Sequence, residues 1–282
     1  MTEPGRRGDA PAADAEATEG SSTAHRRIAA LVEYDGTDYA GWQTQAHARS
    51  LQEDVEAAIG FVAGAPVAVT CAGRTDAGVH AVGQVIHFDT AAARRPRAWV
   101  LGANTRLPPA IALKWAAEVA PDFHARHTAV KRVYRYHIVN SSARSALRRL
   151  RSAWIHRPLD PSAMRAAAQV LIGEHDFSAF RSVECQSKSA TRRIEEIKVE
   201  RHGDCVDIEI AANAFLHHMV RNIVGTLLEV QEESDAAAAM RRVLESRDRR
   251  RAGMTAPACG LYLWRVEYPA IHGIPAPEGR FC

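Results

Sequence analysis

The chain predicts an α+β fold: two related α/β lobes that share a mostly antiparallel sheet, with helices packed on it. Three observations point there. Short β-branched or alternating runs recur along the sequence, among them VGQVIHFDT and CVDIEI. Stretches of helical periodicity interrupt them. The order β-α-β-β also returns loosely in each half, without any close sequence repeat. A length of 282 residues, 46% hydrophobic and 24% charged, suits one large globular domain or two smaller ones with a shared core.

Residues 1–24 are rich in Ala, Glu, Asp, Gly, Ser and Thr and lack apolar period, so a disordered tail is expected. Ile28 to Tyr34 reads as a strand ended by Asp35-Gly36. A helix follows Ser50, where S-L-Q-E is a capping box and Leu51, Val55, Ala58, Ile59 and Val62 share a face. Two strands, Val67–Ala72 and Val82–Thr90, flank the octet GRTDAGVH. An Ala/Arg-rich helix start comes next, and a strand opens at the Pro pair of RLPPAIALKW. Pro121–Asn140 reads as a loop entering a strand in which Tyr134, Tyr136 and Ile138 alternate with Val133, Arg135 and His137. The pair Asp160-Pro161 starts a helix that Gly173 should end. RRIEEIKVERHGDCVDIEI reads as a hairpin turning at His202-Gly203-Asp204. Phe215 to Val230 is expected to be helical, Gly260–Pro269 a last strand, and the remainder irregular. The lobes would be residues 25–125 and 126–282.

Net charge is only +3, yet of the 36 basic residues 32 are Arg and 4 are Lys. Arg forks suit phosphates and stack on bases, which fits an RNA partner; a GC-rich genome gives the same bias. Clusters at Arg94–Arg97, Arg144–Arg151, Arg192-Arg193 and Arg247–Arg251 could follow a nucleic-acid backbone, or form solvated faces. Five scattered cysteines without a C-x-x-C pair indicate neither a disulfide frame nor zinc. No apolar run is long enough to span a bilayer and the N-terminus lacks a secretory pattern, so a cytoplasmic protein without membrane contact is expected.

Gly73–His80 is a connection between strands, and its Asp76 is either an ordinary turn former or a catalytic carboxylate. Arg74 stands two residues before it. In NAFLHHMVRNIVGTLLEV the apolar face is broad enough for burial on most sides, and Arg221 sits among it. A buried Arg needs an anion. Asp76, Glu209, Asp207 or a bound phosphate could serve, and pairing with Asp76 would keep that carboxylate ionised. His217 and His218 would diverge on a helix, and no third ligand stands at a sensible spacing, so no metal is expected. Tyr134 and Tyr136 share a strand face, as core aromatics or as a platform for a base. His80 is expected to be structural.

The stretches EYDGTDYAGWQTQ, LQEDVEAAI, CAGRTDAGVHAVGQVIHF, LPPAIALKW, DFHARHTA, YRY, DFSAFRSVECQSKSATRRI, NAFLHHMVRNIVGTLLEV and RAGMTAPACGLYLWRVEYP together resemble the TruA family of tRNA pseudouridine synthases. They occur in the family's order and spacing. The resemblance implies the pseudouridine synthase fold and a homodimeric, cofactor-free isomerase that turns uridine into pseudouridine in the anticodon arm, at tRNA positions 38 to 40. It implies Asp76 as nucleophile, Arg74 as the residue that helps extrude the base, Tyr134 at the flipped uracil, and Arg221 as partner of Asp76. It implies tRNA contacts at Phe123, His124, Ala125, Arg126 and His127, and at Cys185, Gln186, Ser187, Lys188 and Ser189. Neither a metal nor a nucleotide cofactor is implied. The family commonly has Pro where Met254 stands and an acidic residue near Ala110, and the stretch before YRY varies, with Val133 here; these touch local loop shape and no catalytic group. Catalytic groups do not set the target, so other uridines remain open, as does an RNA-binding role without catalysis.

Overall fold

The structure is a computed structural model and describes Met1 and residues 25–277. The tail expected over residues 1–24 lies, Met1 apart, outside the described residues. The chain runs β1 (Arg26–Tyr34), α1 (Leu51–Ala63), β2 (Thr70–Cys71), β3 (His80–Thr90), α2 (Pro96–Asn104), β4 (Ile111–Val119), β5 (Lys131–Asn140), β6 (Ala153–Ile155), α3 (Pro161–Gln169), β7 (Gly173–Asp176), β8 (Thr191–His202), β9 (Cys205–Ala212), α4 (Met219–Val230), α5 (Ala236–Ser246) and β10 (Leu261–Glu267). The strands form one sheet in the order β4-β1-β3-β10-β5-β9-β8-β7, with β2 on β3 and β6 on β5. Pairing is antiparallel except for β3–β10 and β5–β6. The α+β fold with a mostly antiparallel sheet is therefore the one the sequence predicts.

Local signals explain the elements that position the site. Both halves of the Ser50 capping box form: Ser50 accepts from Glu53 N–H, and the Glu53 carboxylate accepts from Ser50 N–H. Asp160 caps α3 through the N–H groups of Ser162 and Ala163. The α3 helix ends at Gln169, however, and Gly173 opens β7 with φ +108 rather than ending the helix. Other boundaries move too, and the strand expected over Val67–Ala72 shrinks to Thr70–Cys71, the two residues that pair with His87 and Ile86 of β3. The octet's last residue, His80, already belongs to β3. The α4 helix begins at Met219 instead of Phe215, because His218 adopts a left-handed conformation (φ 61) and stops the helix from extending backwards. The α5 helix had a legible signal: Asp235 accepts from Ala238 N–H, and Ala236, Ala239, Met240 and Leu244 bury one face.

The last strand goes to the centre. β10 lies between β3 and β5, pairing Tyr262 with His80 on one side and with Arg135 on the other. Alternation along β5 puts Tyr134 and Tyr136 in the main core, while Val133 joins Val82, Ala211, Tyr262 and Trp264 in a smaller cluster. His80 is buried, accepts the Gly36 N–H on Nδ1 and stacks on Tyr262, as a structural residue would. Among the described residues no helix is long and apolar enough to cross a membrane.

Candidate active site

The octet is a loop clamped from both sides. Gln84, fully buried on β3, donates to Gly73 O at 2.6 Å and accepts from Gly73 N–H. Thr75 bonds the Tyr34 hydroxyl at 2.8 Å, and its carbonyl accepts the Trp42 N–H. Close approach of the β1–α1 connection depends on Gly41 (φ +103): a Cβ there would stand 2.7 Å from Thr75 O. Asp76 begins a turn, its carbonyl accepting Val79 N–H, so the turn-forming and catalytic readings are compatible.

Its carboxylate meets three side chains from the entry and first turn of α4. Arg221 Nη1 donates to Asp76 Oδ2 at 3.1 Å. His217 Nε2 lies 3.3 Å from Oδ1, and His218 Nε2 lies 3.4 Å from Oδ2. The other candidate anions for Arg221 are engaged elsewhere, Glu209 with Arg135 and Asp207 with His137. Arg221 is itself held: Nε donates to Ala256 O at 2.8 Å, and Ala256 N–H returns a bond to Arg221 O. Gly225 and Gly253 let that segment lie against α4, since a Cβ on Gly225 would stand 1.7 Å from Met254 O.

The expectation that His217 and His218 diverge is overturned. Both precede α4 instead of sitting on it, and the left-handed turn at His218 brings their rings to 4.0 Å. With Asp76 they offer three ligand atoms within 4.8 Å of one another, a possible metal set. Arg221 already places a fixed positive charge on the same carboxylate oxygen, which opposes a second cation there. Burial, above all, holds the His218 imidazole below its ordinary pKa, against the pull of Asp76.

Tyr134 lies at the same place. Its hydroxyl faces Gly73, where a Cβ would lie 3.8 Å away, and its ring meets Phe215 edge-on. Burial, with the Asp76 charge added, pushes its phenol far above the ordinary value. Tyr136 is separated from it: it is fully buried and donates to Pro257 O. Arg74 is exposed, and among the described residues no hydrogen bond or ion pair holds its guanidinium.

The two remaining segments flank this centre through bridges that sequence reading missed. Arg132 donates to Ala72 O just before the octet, to Arg126 O and to Asn213 O ahead of α4. Within residues 123–127, Phe123 and Ala125 are buried, while Arg126 and His127 are exposed and His124 lies between. Inward-facing Phe123 and Ala125 can therefore shape a contact surface but not supply side chains to it. Of Cys185–Ser189, Gln186, Lys188 and Ser189 are exposed, and the segment is tied to His217 through Ser182 just ahead of it, whose carbonyl accepts the Cys185 N–H and whose N–H donates to His217 O. Burial pushes the Cys185 thiol up, but the N–H groups of His217 and Ser187 and the Arg181 guanidinium outweigh it and leave the thiol below its ordinary value. Only spacing could have suggested Arg132, and nothing local marks it.

A family model for tRNA pseudouridine synthase matches residues 30–128 and 167–269. The chain is 53% identical over 248 residues to the tRNA pseudouridine synthase A of Methylococcus capsulatus, covering 88% of this chain and 92% of that one. It is 51% identical over 249 residues to the tRNA pseudouridine synthase A of Aliivibrio fischeri, with 88% and 95% covered. A third relative of the same name, from Xanthomonas euvesicatoria, is 51% identical over 252 residues, with 89% and 98% covered.

Proposed function

This chain belongs to the tRNA pseudouridine synthase family, and we propose that it isomerises uridine to pseudouridine at positions 38–40 of the tRNA anticodon arm, with Asp76 as the reacting carboxylate. The observation that carries this reading is the Asp76–Arg221 contact at 3.1 Å, made at a partly open carboxylate beside Tyr134.

The reaction breaks the bond between C1′ and N1, turns the ring and rejoins it through C5, which then loses its proton. Asp76 can attack C6 of the uracil, attack C1′ of the ribose, or promote elimination to a glycal. Each route needs the carboxylate ionised and aimed. Arg221 supplies fixed positive charge for the first, and its bond to Ala256 O supplies the second. The base must leave the stack. Arg74, exposed and unengaged at the edge of the loop, is the group free to take its place, and the Tyr134 ring is the surface for the extruded uracil. The raised Tyr134 hydroxyl is a poor base at neutral pH. The rearrangement is redox-neutral and internal to the nucleotide, so these groups suffice without a metal or nucleotide cofactor.

His124, Arg126 and His127 on one side, and Gln186, Lys188 and Ser189 on the other, form the tRNA-facing rim of this reading. We further read the protein as a cytoplasmic homodimer of two-lobed subunits, divided near residue 125. Release of tritium from C5-labelled uridine in tRNA, run beside Asp76→Asn, tests the chemistry. Activity retained in the variant sinks the role of Asp76, and mapping pseudouridine away from positions 38–40 sinks the target. A protein that binds tRNA without releasing tritium would be a binding protein only. Sedimentation of a monomer would remove the dimer.

A further inference from the structure

Asn222 and Thr226 are polar side chains buried on the largely apolar α4. A buried amide is destabilising unless its donors and acceptors are bonded. Asn222 meets that need by joining three separate pieces of chain. Its Nδ2 donates to Phe180 O at 2.8 Å. Its Oδ1 accepts twice, from Thr255 Oγ1 at 2.7 Å and from Arg249 Nη2 at 3.0 Å, which uses both lone pairs. Arg249 Nη2 also donates to Thr255 Oγ1, and Nη1 to Ala252 O, so this guanidinium braces the segment from within. One turn further along α4, Thr226 Oγ1 accepts the Gly253 N–H.

The segment fastened in this way ends on the residue that holds Arg221. Thr255 immediately precedes Ala256, whose carbonyl accepts from Arg221 Nε and whose N–H donates to Arg221 O. Asn222 is the neighbour of Arg221 on α4. A closed path therefore runs from Arg221 through Ala256, Thr255 and Asn222 back to Arg221. Asn222 N–H also donates to the carbonyl of His218, whose ring stands at Asp76. Apolar contacts alone are non-directional and let a segment slide, whereas bonds to one buried oxygen fix its position. We propose that Asn222 is a positioning residue for the reaction: it sets where Ala256 O stands, and thereby the aim of Arg221 at Asp76. This role rests on Asp76 and Arg221 acting as argued above. A purely structural amide would hold the fold and leave the aim of Arg221 alone.

The test removes the two donors to Asn222 Oδ1 from the half-buried segment and leaves α4 itself intact. Thr255→Val and Arg249→Met are combined, and Thr255→Ser, which keeps the hydroxyl, is the conservative control. Pseudouridine formation in an unmodified tRNA transcript gives kcat and KM, and urea unfolding gives the folded fraction. Single turnovers compare the combined variant in wild-type and Arg221→Leu backgrounds. The combined variant should lower kcat about tenfold with KM unchanged, the scale of one misplaced charge-assisted hydrogen bond. Thr255→Ser should keep the wild-type kcat. In the Arg221→Leu background the same pair should cost less than about twofold, because the residue it positions is gone. An equal loss in both backgrounds overturns the role, since the network would then act by another route. A normal kcat in the folded combined variant overturns it, and so does a rise in KM alone. Activity lost only in proportion to the folded protein marks a structural amide and overturns it too. A wild type that forms no pseudouridine overturns the reaction assigned above and this role with it. An active wild type beside an unaffected combined variant overturns the role alone.

Discussion

Arg221 reaches across 145 positions of sequence to place Nη1 3.1 Å from Asp76 Oδ2, while its Nε is fixed by Ala256 O. The pair is mostly buried on both sides, so each charge depends on the other. Arg221→Leu should lower single-turnover pseudouridine formation by about 10²–10³, the usual cost of one preorganised charge partner. Arg221→Lys should fall between the two, because one ammonium cannot reproduce both bonds. Full activity in Arg221→Leu would show that Asp76 is aimed by other groups.

The same arrangement makes Gly225 sensitive at a distance from the chemistry. A methyl there would stand 1.7 Å from Met254 O, so the 253–256 segment must move, and Ala256 O moves with it. Gly225→Ala should destabilise the protein by about 1–3 kcal/mol and lower kcat as well. Urea unfolding and turnover, measured on the same preparation, check both. A stable variant with normal kcat would mean that the segment does not set Arg221.

Arg74 offers the opposite signature. Its side chain is exposed and unengaged, so Arg74→Ala should change unfolding free energy by less than about 0.5 kcal/mol. Pseudouridine formation should nonetheless drop, and drop less on a substrate whose target uridine is already unstacked. Equal losses on paired and unpaired substrates would argue against a part in extrusion.

His87 gives a pH dependence with a definite sign. It is buried, its Nδ1 accepts the Ala125 N–H, and burial, helped by His124 and Arg27 against Asp89, pushes its imidazole down to about 4 from 6.5. Between these values the unfolded chain binds a proton that the folded chain refuses. Stability is therefore complete above pH 6.5 and falls as pH drops towards 4, by on the order of 3 kcal/mol. In His87→Gln, which cannot titrate, unfolding followed across this range should show a flatter profile. An equally steep profile would assign the dependence to other groups.

The loops on either side of the centre show how far local chemistry carries. Ser50, Asp160 and the Gly203 turn each act within a few residues, so their helices and hairpin are legible in sequence. Asp76 could be found for the same reason: two strand patterns bracket a Gly-flanked loop, and the motif lies in one stretch. The misplaced start of α4 shows the limit. Its apolar period continues back to Phe215, but a backbone conformation at His218 that no periodicity reveals ends the helix early.

By itself, then, the sequence determined the α+β class, most of its elements, the loop nature of GRTDAGVH and the family to which the chain belongs. Only the tertiary structure decided that Arg221 takes Asp76 over Glu209 or Asp207, that His217 and His218 converge on the same carboxylate, and that Arg132 joins three separate segments. It also decided that β10 closes the centre of the sheet. The reason is physical. Caps, turns and periodicity are fixed by neighbours along the chain, whereas the partner of a buried charge is fixed by strand register and by which loops pack together, which no local stretch encodes.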